Sequence, residues 1–135
     1  MADDRQETVL IIDDDENIRA GLAAVLDLED YQVLEAPHGI YGLKLLEMRP
    51  IDILVTDLNM PHKQGCETII EARRRWPNLK IVAMSGATSA FSEGDNENSL
   101  EYARTVGADS LLTKPFTPGA LLTALAEIAT REVAN

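Results

Sequence analysis

Six side chains stand where short apolar runs stop, and their types suit metal-assisted chemistry on phosphate. The run VLII is followed by Asp13, Asp14 and Asp15, ILVT by Asp57, IVAM by Ser85, and SLLT by Lys114, itself followed by Pro115. Carboxylates gathered at one place repel each other unless a cation compensates, and an oxygen-only site with few ligands suits Mg²⁺. An aspartate beside such an ion can attack phosphorus, because the charge growing on the equatorial oxygens is neutralised. Lys114 would pair with one phosphoryl oxygen and Ser85 would donate a hydrogen bond to another. The acyl phosphate so formed is a reversible charge switch.

Each residue also has a plainer reading. An aspartate after a strand often caps the next helix, and Asp15 before Glu16 and Ile18 suits that role. A serine at a strand end is commonly a turn former, and a lone lysine is commonly solvated. What favours the chemical reading is their joint occurrence at successive run ends.

These positions meet only in a fold that brings strand ends to one rim. The strand candidates are Val9 to Ile12, Gln32 to Leu34, Ile53 to Thr56, Lys80 to Met84 and Ser110 to Leu112. Between and after them, apolar residues recur at helical spacing, as in Ile18, Leu22, Val25 and Leu26, or Leu121 (or Leu122), Leu125, Ile128 and Ala129. Such alternation predicts an α/β fold, a doubly wound parallel sheet with its ligand site outside the carboxyl ends of the strands. Gly39, Pro50, Pro61, Gly65, Pro77 and Gly107 fall at or beside element boundaries. The segment Gly86 to Asn98, rich in Gly, Ser, Asp, Asn and Glu, is long for a connection in a compact domain and is expected to be functional or mobile.

At 135 residues, with 45% hydrophobic and 26% charged residues, one globular domain fits and a second does not. Acidic residues outnumber basic ones 23 to 12, and a formal charge of −11 opposes binding to nucleic acid or to anionic lipid. The only basic cluster, Arg73 to Arg75, reads as a solvated helix face. No apolar run approaches membrane-spanning length and the start MADDRQE is unlike a signal peptide, so a cytoplasmic location is expected. The single Cys66 precludes an internal disulfide. His38 and His62 read as surface residues, and Trp76 as remote from the site.

VLIIDDDENIR, ILVTDLNMP, IVAMSGA and LLTKPF, in this order and at nearly the expected spacing, resemble the successive signatures of response regulator receiver domains. The resemblance covers about Thr8 to Ala129. It implies a flavodoxin-like (βα)5 fold with strand order 2-1-3-4-5, Asp13 and Asp14 as the acidic pair, and Asp57 as phosphoacceptor. It further implies that Asn59 offers its main-chain carbonyl to Mg²⁺, that Ser85 and Lys114 are the matching switch hydroxyl and lysine, and that the bond before Pro115 is cis.

The sequence departs from that family in places. Leu111, three residues before Lys114, stands where Tyr or Phe is usual, so the aromatic half of the usual switch is missing. The segment after Ser85 is several residues longer than is typical, and phosphorylation is expected to be read through it and the following helix. Residues 1–135 are expected to form one stand-alone receiver, with no output domain. The expected function is acceptance of a phosphoryl group from a histidine kinase or histidine phosphotransfer protein, followed by signalling to a protein partner. Direct nucleic-acid binding is not expected, and the expected state is a monomer or weak dimer. Two alternatives share the fold. A constitutive binding module would be expected to have lost at least one of Asp13, Asp14, Asp57, Ser85 and Lys114. A metal-dependent hydrolase with an aspartyl nucleophile would carry a second aspartate at the position of Asn59. The chain is therefore not expected to be a turnover enzyme; it would catalyse only its own phosphorylation and dephosphorylation.

Overall fold

In the computed structural model, the structure describes residues 6–58, 65–86 and 100–134. Five strands are present among them: β1 (Thr8–Ile12), β2 (Gln32–Ala36), β3 (Ile53–Asp57), β4 (Lys80–Gly86) and β5 (Ser110–Lys114). They alternate with helices α1 (Glu16–Leu28), α2 (Gly39–Met48), α3 (Gly65–Arg75), α4 (Leu100–Val106) and α5 (Pro118–Ala134). All pairings are parallel, in the order β2-β1-β3-β4-β5. This is the flavodoxin-like order expected from the sequence.

The inner strands are continuous apolar runs because both faces of the sheet are covered. Side chains alternate across each strand. Leu10, Ile12, Leu54, Ile81 and Ala83 pack with Leu43, Leu46, Ile69, Ala72 and Ala103 of α2, α3 and α4. Val9, Ile11, Ile53, Val55, Val82 and Met84 pack on the other face with Leu22, Leu26, Leu121, Leu125 and Ile128 of α1 and α5. Asp15 caps α1 as expected, its carboxylate accepting from the N–H groups of Asn17 and Ile18. His38, expected only to be a surface residue, caps α2 by accepting from the Tyr41 N–H through Nδ1 at 3.2 Å.

The strands run further toward the rim than their apolar patterns. Asp57 pairs with Met84, Ser85 with Thr113, and Gly86 with Lys114. Backbone ladder bonds do not require apolar side chains, so Asp57, Ser85 and Lys114 lie within strands rather than after them. They are held as rigidly as the sheet itself.

The basic cluster departs from expectation. Arg74 is exposed, but Arg73 folds inward and donates to the carbonyls of Pro77, Leu79 and Gly107 at 2.7, 2.6 and 2.8 Å, and to Asp109 Oδ2 at 2.8 Å. Asp109 Oδ2 also accepts the Ile81 N–H at 2.9 Å. Arg75 lies 4.5 Å from the centroid of the Trp76 ring and pairs with Glu47 and Glu71. Arg73 thus ties the end of α3 to β4 and to the turn before β5. Hydrogen bonds from a charged donor contribute about 1.5–3 kcal/mol each at most and are not additive. Arg73→Ala is therefore expected to lower the unfolding free energy by about 2–3 kcal/mol in urea titration, with less than half recovered by Lys, which lacks the planar fork. A loss near zero would show that water replaces the clamp.

Candidate functional site

The rim is built from the ends of β1, β3, β4 and β5. Asp13 follows β1 directly and is fully buried. Its N–H continues the ladder to the Ala36 carbonyl at 3.2 Å, its Oδ1 accepts from the Asp15 N–H at 2.9 Å, and its Oδ2 accepts from Lys114 Nζ at 2.8 Å. Asp57, the last residue of β3, is 5% exposed, and its Oδ1 lies 3.5 Å from the same ammonium. Asp14 is exposed, and carboxylate oxygens of Asp13, Asp14 and Asp57 all lie within 4.8 Å of one another.

One ammonium thus contacts both buried carboxylates. Burial pulls the Lys114 pKa down, but its hydrogen bond to Asp13 and the charges of Asp57 and Asp13 outweigh this and hold it above the ordinary lysine value. Lys114 is charged at neutral pH. Hard carboxylate oxygens, converging from two strand ends, fit a divalent metal ion.

Ser85 is fully buried near the end of β4. Its hydroxyl donates to the Gly86 carbonyl at 3.3 Å, and strand parity sets it on the pleat opposite Asp57 and Lys114. The structure therefore brings Asp13, Asp14, Asp57 and Lys114 together, with Ser85 near the end of β4 on the same rim but on the opposite pleat. Lys114–Pro115 is a cis peptide. Asn59 lies outside the described residues, as does the long segment after Gly86 up to Asn98. Leu111 is partly buried against the core on the α2–α4 face, opposite Ala83.

Sequence reasoning assigned nothing to Arg19 or Glu35. Arg19 Nη1 donates to the Asp13 carbonyl at 2.8 Å and Nε to Glu35 Oε1 at 3.0 Å. One of these partners is a main-chain oxygen and the other sits on β2, so no local spacing could have marked them. No described helix is long and apolar enough to cross a membrane.

Residues 9–126 match the response regulator receiver domain family. The chain is 33% identical over 135 residues to the nitrate/nitrite response regulator protein NarL of Escherichia coli K12, covering 98% of the chain and 59% of that protein. It is 34% identical over 123 residues to the transcriptional regulatory protein CpxR of Klebsiella pneumoniae, covering 91% of the chain and 49% of that protein. The chain therefore spans about half the length of these relatives. Among solved structures, a response regulator receiver domain protein from Clostridium thermocellum superposes with a TM-score of 0.81 at 27% identity, covering 95% of this chain and 98% of that one.

Proposed function

The chain belongs to the response regulator receiver domain family of two-component systems, and on that footing we propose that Asp57 accepts a phosphoryl group from a histidine kinase or histidine phosphotransfer protein in a Mg²⁺-dependent reaction. The observation that carries this reading is the convergence of the Asp13, Asp14 and Asp57 carboxylates within 4.8 Å, with Lys114 reaching both buried members.

In this reading a carboxylate oxygen of Asp57 attacks phosphorus in line. The bond from phosphorus to the donor imidazole breaks, its electron pair returns to the ring nitrogen, and an acyl phosphate remains on Asp57. The sheet presents this carboxylate in a fixed place, so little freedom is lost on reaching the transition state. Lys114, already 3.5 Å from Asp57 Oδ1, is placed to hold an oxygen of the incoming phosphoryl group. Mg²⁺ would supply neutralisation of phosphoryl charge, and Asp13, Asp14 and Asp57, with the Asn59 carbonyl, are the residues proposed to hold it. The Ser85 hydroxyl is the proposed donor to a further phosphoryl oxygen, and its movement is the proposed start of the shape change read by a protein partner.

The reaction is tested by incubating the chain with radiolabelled acetyl phosphate, with Mg²⁺ or with a chelator. Label is expected with the metal and at background level without it; equal labelling in both would overturn the metal-dependent reading.

Trp76 gives a separate check on the placement of the site. It precedes β4, whereas the carboxylates stand at the far ends of the strands, and seven residues of β4 span about 20 Å. Tryptophan fluorescence should therefore change little on addition of MgCl₂. A large quench would contradict this location.

A further inference from the structure

We infer that Arg19 is a positioning residue for the acidic site: its guanidinium fixes the peptide between Asp13 and Asp14 and so aims the Asp14 carboxylate. The inference rests on reading Asp13 and Asp14 as Mg²⁺ ligands.

Arg19 is held at both ends. Its main-chain N–H donates to the Asp15 carbonyl at 3.0 Å within α1. Its side chain, 16% exposed, turns back over the end of β1. There Nη1 donates to the Asp13 carbonyl at 2.8 Å while Nε donates to Glu35 Oε1 on β2 at 3.0 Å. A planar guanidinium anchored at two atoms has little freedom left. The carbonyl of Asp13 and the N–H of Asp14 belong to one planar unit, so holding that oxygen sets the orientation of the plane from which Asp14 projects.

The two acidic residues differ in what else holds them. The Asp13 carboxylate is fixed by the Asp15 N–H and by Lys114. Asp14 is exposed, and among the described residues no hydrogen bond to its carboxylate is seen. Its aim depends on the backbone, and Arg19 holds that backbone. Glu35 is 41% exposed, so solvent screens its ion pair with Arg19 and the pair adds little to stability. Its larger effect is to steer the guanidinium and neutralise it.

The sign of the effect separates positioning from charge. A cation beside a cation site opposes metal binding, so by Coulomb's law alone Arg19→Ala should tighten Mg²⁺ binding. Positioning predicts the reverse. MgCl₂ is titrated calorimetrically into wild type, Arg19→Ala, Arg19→Lys, Asp14→Asn and the double variants Arg19→Ala/Asp14→Asn and Arg19→Lys/Asp14→Asn. The expected result is about fivefold weaker binding in Arg19→Ala, and a smaller loss in Arg19→Lys, which keeps the charge but not the fork. In the Asp14→Asn background the effect of Arg19→Ala should fall below about twofold, because the carboxylate it aims is gone. Should Arg19→Ala fail to fold, Arg19→Lys carries the comparison in both backgrounds. Unchanged or tighter binding in the Arg19 variants, with Asp14→Asn still weakened, overturns the inference and leaves the Mg²⁺ site standing. A full fivefold loss repeated in the Asp14→Asn background also overturns it, since the effect is then a general loosening. Unchanged affinity in Asp14→Asn removes Asp14 from the site and the inference with it.

Discussion

Asp57→Ala is expected to reduce labelling by acetyl phosphate about a hundredfold or more, to background, while the fold persists and thermal unfolding in the absence of metal moves upward. The first effect follows because the nucleophile itself is removed, the Asp13 carboxylate is buried and engaged by Lys114 and the Asp15 N–H, and a hydroxyl such as Ser85 is a weak nucleophile without an adjacent base. The second follows from a balance of distances. Removing Asp57 relieves repulsion among three carboxylates gathered within 4.8 Å. It costs Lys114 only the longer of its two contacts, 3.5 Å against 2.8 Å to Asp13. A net gain of about 0.5–1 kcal/mol corresponds to roughly 2–4 °C for a chain of this size. Labelling of Asp57→Ala at the wild-type level would remove the residue from the reaction, and a fall of several degrees would show that the ion pair outweighs the repulsion.

Asp13→Asn and Asp14→Asn are each expected to weaken Mg²⁺ binding tenfold or more, about 1.4 kcal/mol, because a site with few protein carboxylates loses much when one is neutralised. Their effects on folding should differ. Asp14 is exposed, and its replacement should leave the melting temperature nearly unchanged. Asp13 is fully buried and accepts a 2.8 Å hydrogen bond from Lys114. Its replacement by Asn removes the acceptor's charge from that bond and should lower stability by about 1–2 kcal/mol. Calorimetric Mg²⁺ titration beside thermal melts measures both. Unchanged affinity in both variants would take the acidic pair out of the site.

Much of this architecture is legible in the sequence because strands buried on both faces, such as Val9 to Ile12, read as unbroken aliphatic runs, and α1 and α5 carry one apolar stripe each. The residues that end those runs point to the rim for the same reason: where an apolar run stops at Asp57 or Lys114, the chain has reached the edge of the core. Strand lengths are less legible. Ladder bonds continue through Asp57, Ser85 and Lys114, and a backbone bond leaves no mark on side-chain pattern. Arg73 and Arg19 were out of reach for a related reason. Most of their acceptors are main-chain carbonyls, on Pro77, Leu79 and Gly107 for one and on Asp13 for the other. Every residue has such an oxygen, so only the folded chain shows which ones are used.

The central claim is that Asp57 itself takes the phosphoryl group, and intact-mass spectrometry with peptide mapping, after incubation with acetyl phosphate and Mg²⁺, tests it most directly. The account predicts one added phosphate, acid- and base-labile as an acyl phosphate should be, on the peptide containing Asp57. An unchanged mass under these conditions, or a stable phosphate mapped to any other residue, would contradict it.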